Sequence, residues 1–261
     1  VNFPNGVQAV LLMIALYVLD ILLTVLLRPI VGASSVASTV AAVAVPVVSS
    51  AILLGIVLRY TGLSVNLLIH PAQHSVRATF AVLAIPILMI VPGLVLGLTM
   101  MNGIVVSLFP ISPGLRAAFE QVLAGGSLTL FFICLIGPAF EEMLFRGVIL
   151  RGFLQNYPRG AAIAASAGLF GIAHLNLYQF VAAGLLGLVL GWLYERSRSL
   201  WPCILLHAAY NTANVFGFAA LRAAQPKSNS LTLEWAVYLP IVVLAAAGTT
   251  LLQKFLAPKK R

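Results

Sequence analysis

TFAVLAIPILMIVPGLVLGLTMM, Thr79 to Met101, runs for 23 residues without a charge. As an α-helix it measures about 35 Å, a little more than the ~30 Å hydrocarbon core of a bilayer. A soluble fold would have to bury this segment whole, and the rest of the chain rules that out. Of 261 residues, 61% are Ala, Val, Ile, Leu, Met, Phe, Trp, Tyr or Cys, 8% are charged, and mean hydropathy is +1.07. Soluble domains carry roughly 25% charged residues, so most of this surface must face lipid. The chain reads as an integral membrane protein.

Working outward, similar apolar runs cover Val7 to Leu27, Val36 to Leu58 and Ala118 to Ile136. Shorter, Gly-interrupted runs follow from Gly160 to His174, Tyr178 to Tyr194 and Trp201 to Ala220, with a last one from Leu233 to Leu256. Gly137-Pro138 is expected to break the preceding helix, and Gly137 to Leu154 to form an extra, partly buried helix. The expected fold is therefore all-α: one polytopic bundle of about eight transmembrane helices, 1–261, with the Gly137 to Leu154 helix added. The first span is read as a membrane helix and not a signal peptide.

With both termini cytoplasmic, Arg59, Arg77, Arg146, Arg151, Arg159, Arg196, Arg198, Lys254, Lys259, Lys260 and Arg261 fall inside, and Arg28, Arg116, Arg222 and Lys227 outside. Eleven against four obeys the positive-inside rule and points to the cell membrane. The net charge of +9 comes from residues scattered singly between apolar runs. Its expected partner is anionic lipid headgroup and not nucleic acid. Cys134 and Cys203 have no metal-type spacing. Gly93-x-x-x-Gly97 and Gly187-x-x-x-Gly191 are expected to let helices approach closely. His70 and His74, around Pro71, read as solvated loop residues, and Tyr194 as part of an interfacial aromatic belt.

Ionisable residues inside apolar sequence cost about 2.5–3.5 kcal/mol each at a helix centre, so the few present mark the chemistry. Three clusters stand out. In Glu141-Glu142-Met143-Leu144-Phe145-Arg146, Glu142 and Arg146 are four apart and share a helix face; Glu141 lies about 100° further round, without that partner. Phe170-Gly171-Ile172-Ala173-His174 ends an otherwise untitratable run. In His207-Ala208-Ala209-Tyr210-Asn211, His207 and Asn211 again share a face. Lipid offers these groups no hydrogen bonds, so they are satisfied by converging on one another.

In none of these clusters does a Ser or Cys lie beside a His, which directs the chemistry to activated water: a carboxylate and an imidazole can take its proton, and His and Asn donors can hold a carbonyl oxygen as it gains charge. The reaction so described is peptide-bond hydrolysis. The same residues allow a zinc alternative, with Glu141, His174 and His207 as ligands, although no His-Glu-x-x-His pairing supports it. A third reading is a membrane binding or immunity protein without chemistry.

The three clusters together resemble the CPBP (Abi) intramembrane proteases, which include the type II CAAX prenyl endopeptidases. The resemblance rests on Glu141, Glu142 and Arg146, on Phe170 and His174, and on His207 and Asn211. It covers about Ala118 to Asn214, with Gly191-Trp192-Leu193-Tyr194-Glu195-Arg196-Ser197 and Ser199-Leu200-Trp201-Pro202 between the second and third motifs. It implies a site within the membrane that faces the cytoplasm and needs no cofactor. Glu141 and His174 would activate water, His207 and Asn211 would form the oxyanion side, and Glu142 with Arg146 would orient Glu141. Its substrates would be membrane-bound proteins or peptides, either prenylated C-terminal CAAX sequences or others.

Overall fold

The structure is a computed structural model that describes residues 2–31, 35–224 and 235–257. Among these residues the chain is helical, with no strand. The helices are α1 (Gly6–Val31), α2 (Ser35–Thr61), α3 (Val65–Ile69), α4 (Val76–Leu108), α5 (Pro113–Leu123), α6 (Gly126–Asn156), α7 (Arg159–Ile172), α8 (Leu177–Ser197), α9 (Leu200–Ala224) and α10 (Trp235–Phe255). A backbone in lipid must satisfy its polar groups within its own segment, which is why the apolar runs are helices. Several starts are set by side-chain caps: Ser64, Ser75, Ser112 and Asn176 each accept a hydrogen bond from the N–H three residues on.

The protein is a polytopic membrane helix bundle. Among the described residues, six helices are long and apolar enough to cross a bilayer: α1, α2, α4, α6, α8 and α10. The expected span from Gly160 to His174 is α7, whose 14 residues reach about 21 Å, short of a full crossing. The expected span from Trp201 to Ala220 is α9. Lys227 and the C-terminal Lys259, Lys260 and Arg261 lie outside the described residues, as does the start of the Leu233 to Leu256 run.

Two boundaries differ from expectation. The Ala118 to Ile136 run is not one helix: it begins in α5, and the chain breaks at Ala124-Gly125-Gly126, where Gly126 has φ +82°, a conformation open to glycine. Gly137-Pro138, by contrast, breaks nothing. Phe132–Ile136 is wound in the wider π form, and the Gly137 N–H reaches back five residues to the Phe132 oxygen. The wide turn takes up the missing proline N–H, and α6 runs on to Asn156. The Glu-Glu-x-x-x-Arg motif therefore sits in the second half of a membrane-length helix and not on an extra, partly buried one. That half is itself π-wound from Met143 to Leu150. Its residues from Leu144 to Leu150 are buried all round, which makes α6 the central helix.

The neighbours of α6 come close where side chains are small. A Cβ on Gly147 would meet Leu68 of α3 at 2.7 Å and Leu200 of α9 at 3.2 Å. On α8, Gly187 and Gly191 admit Ala167 and Ile163 of α7. Gly93 of α4 admits Ala245 of α10, whereas Gly97 faces open space, so only the first glycine of that pair makes the contact. A Cβ on Gly187 would lie 3.1 Å from Ala167 and 3.3 Å from the Arg146 guanidinium. Gly187→Val is expected to force α7 off α8 and displace Arg146. Size-exclusion profiles of the detergent-extracted variant should show several-fold less monodisperse protein than wild type.

His70 is not a solvated loop residue. Its Nδ1 lies 2.8 Å from the Oγ of buried Ser199 and its Nε2 2.5 Å from the His74 backbone oxygen. With Leu68 fully buried and Arg151 donating to the Leu67 oxygen at 2.6 Å, it ties α3 onto α6 and onto the turn between α8 and α9. Tyr194 is buried as well, which removes it from an aromatic belt. Near it, Arg159, Arg196 and Arg198 surround the buried carboxylate of Glu195.

Candidate active site

The buried pair comes first. Glu142 and Arg146 are both sealed from solvent, with Arg146 Nη1 2.8 Å from Glu142 Oε1. The guanidinium also donates from Nη2 to the Gly187 oxygen at 3.2 Å, and its Cζ stands 4.4 Å from the Phe170 ring centroid. A buried ion pair is costly unless its remaining hydrogen-bonding groups are met; here α8 supplies a carbonyl and α7 an aromatic face, while Glu142 Oε2 and Arg146 Nε are buried without a hydrogen-bond partner among the described residues. Arg146 is thus a structural charge. Removing it from the expected topology, with both termini cytoplasmic, leaves a count of ten basic residues inside against four.

Glu142 Oε1 also meets His207 Nδ1 at 2.9 Å. The helix-face expectation for Glu142 and Arg146 is realised, but their hydrogen bond goes to His207 and not to Glu141. An ionised carboxylate only accepts, so Nδ1–H of His207 donates to it. In the neutral ring this leaves Nε2 without a proton, and Nε2 lies 3.7 Å from Glu141 Oε2. The His174 Nδ1 donates in the same way to the Phe170 oxygen at 3.0 Å, so its Nε2 is the nitrogen left for chemistry. Both tautomers follow from acceptors that cannot donate.

The two acids of the motif therefore differ in kind. Glu142 is sealed and paired; the Glu141 side chain is 36% exposed. Their adjacency in α6 sets them apart around the helix, and the buried face is fixed by Arg146.

Phe170 has a larger part than its place in a motif suggests. Its ring takes His174 edge-on at 5.3 Å, His207 at 5.6 Å and Phe145 at 5.0 Å between centroids, besides the Arg146 guanidinium. It is the surface against which both imidazoles are set. The sequence signal was its position four residues before His174, one turn away on the same face.

Asn211 donates from Nδ2 to the Ile133 backbone oxygen at 3.0 Å, one turn along α9 from His207. Asn176 caps α8 and donates to the His174 oxygen at 2.9 Å, just after Leu175, whose φ of +53° is unusual for a branched side chain. Asn214 bonds back to Tyr210. Asp20, in α1, is buried at Oδ1 and stands apart from this cluster, beside Ser49 of α2. Among the described residues, no group of three or more His, Cys, Asp or Glu side chains is arranged to hold a metal ion.

Residues 124–213 match the family model of the Rce1-like type II CAAX prenyl endopeptidases. YdiL of Bacillus subtilis (strain 168), whose name proposes a membrane peptidase, is 26% identical over 114 residues. That alignment covers 44% of this chain and 45% of YdiL, less than half the length of the relative. No solved structure matches significantly. The matched segment runs from the start of α6 into α9 and holds every motif residue placed above. Over this segment, where Glu142, Arg146, Phe170 and His207 pack together and His174 is set against Phe170, the chain is similar to the Rce1-like membrane endopeptidases.

Proposed function

We propose that this protein is an endopeptidase that hydrolyses peptide bonds of membrane-bound substrates with water activated by Glu141 and His174. Glu141 takes a proton from water as its oxygen attacks the scissile carbonyl carbon, and the His174 Nε2 shares in holding that water. The carbonyl oxygen becomes an oxyanion on the His207 side. A hydrogen bond to that oxygen from His207 Nε2 requires the ring to take up a second proton beyond the Nδ1–H that Glu142 accepts. Collapse of the intermediate breaks the C–N bond, and the proton held by Glu141 passes to the leaving amine. Electrons and protons balance without a covalent intermediate.

The observation that carries this reading is the division between the acids: Glu142 and Arg146 are sealed, while Glu141 opens outward, 3.7 Å from His207. The charge asymmetry supports a cytoplasm-facing site in the cell membrane with both termini cytoplasmic. The substrate is a membrane-bound protein or peptide, with prenylated C-terminal sequences as the form the family resemblance favours.

The test needs no chosen substrate. Membrane-protein termini are compared by mass spectrometry in host cells expressing wild type or Glu141→Gln at equal levels. New termini with wild type alone are expected, and their positions show whether cuts fall near lipidated C-termini. Identical termini, with both proteins folded in the membrane, would transfer the weight to a binding or immunity role. Cleavage in isolated membranes is expected to survive a chelator; loss on chelation and return with zinc would replace Glu141-activated water by a zinc peptidase mechanism.

A further inference from the structure

The Ile133 oxygen lies in the wide turn Phe132–Ile136, where N–H groups bond five residues back, as Gly137 does to Phe132. In that register the donor due to Ile133 is residue 138, and Pro138 has no N–H. The donor four residues on, Gly137, is already committed to Phe132. A carbonyl stranded in this way inside an apolar bundle has no solvent to satisfy it. Asn211 supplies the missing donor from α9, at 3.0 Å.

We infer that Asn211 is a positioning residue whose amide closes the gap Pro138 leaves in α6. A π turn places one more residue in the helix, so it rotates everything downstream by about 100° relative to an uninterrupted α-helix. Glu141 and Glu142 lie just downstream. The two helices are matched at three levels: Leu200 beside Gly147, His207 on Glu142 and Asn211 on Ile133. The first two hold the far end of the motif segment, and the third fixes the wide turn that precedes Glu141. The family resemblance gives this asparagine to the oxyanion, whereas its amide here has a backbone partner and a proline that explains why one is needed.

The inference rests on the protease reading for its activity arm, and the test is built as a cycle with a second readout. Asn211→Ala, Pro138→Ala and the double variant are compared with wild type for Glu141-dependent termini and for thermal midpoint in detergent. Alanine at 138 restores an N–H opposite Ile133 while Arg146 and His207 still hold the downstream register, so the asparagine becomes dispensable. Asn211→Ala is expected to lower cleavage at least tenfold and to lower the midpoint. The double variant is expected to lie within about threefold of Pro138→Ala in cleavage and to match its midpoint.

Equal loss of cleavage on removing Asn211 with either residue at 138 would overturn the inference and return the amide to the substrate, as would an unchanged midpoint in the Pro138 background. If Asn211→Ala fails to accumulate, recovery of folded protein in the double variant supports the inference and continued absence counts against it. The midpoint cycle requires no cleavage, so coupling between 138 and 211 in a protein that cuts nothing would uphold the latch while sinking the protease assignment.

Discussion

Glu141→Gln is expected to abolish cleavage while leaving the fold almost untouched. Glutamine has the size of glutamate but cannot take a proton from water at neutral pH, and loss of a positioned general base costs typically 10²–10⁴-fold. Glu141 is more than a third exposed and stands 3.7 Å from His207, beyond hydrogen-bond distance, so the folded state loses little with its charge. The thermal midpoint should remain near that of wild type. The neighbouring Glu142→Gln should behave in the opposite manner, because that carboxylate holds both Arg146 and His207 in the buried core. Measuring activity and midpoint for both variants separates the acids: if Glu142→Gln is stable and inactive and Glu141→Gln is unfolded, the roles assigned here are reversed.

Arg146→Met should produce the largest loss of stability. The side chain is wholly buried and makes contacts with Glu142, Gly187 and Phe170. Its removal strands a carboxylate in a low-dielectric interior, and breaking one partner of a buried pair costs about 3–5 kcal/mol. Methionine keeps much of the volume, so the loss comes from charge more than from a cavity. Replacing both partners with apolar residues of similar size is often neutral. Arg146→Met/Glu142→Leu is therefore expected to recover most of the midpoint lost by Arg146→Met alone. Activity should not return, since His207 then lacks the acceptor that fixes its tautomer. Thermal unfolding of the three variants in one detergent tests this; a double variant as unstable as the single one would mean that Arg146 acts chiefly through Phe170 and Gly187.

Composition and apolar run length determined by themselves that this chain is a membrane helix bundle, because unbroken apolar runs of about 20 residues satisfy their backbone without water as helices, whereas a closed barrel is built from shorter, alternating strands. The same reasoning picked out Glu141, Glu142, Arg146, His174, His207 and Asn211, since polar groups that lipid cannot satisfy must find one another. The i,i+4 spacing foretold the Glu142–Arg146 pair, a local relation that a helix fixes without outside help. Pro138 misled for an equally physical reason. Read locally it ends a helix; in the bundle a wide turn and the amide of Asn211, 78 residues on from the Ile133 oxygen it meets, carry the helix through it. The burial of Arg146, the attachment of His70 to Ser199 and the placing of both imidazoles against Phe170 depend likewise on residues distant in sequence. Such contacts are set by how helices meet, and spacing along one chain segment carries no record of them.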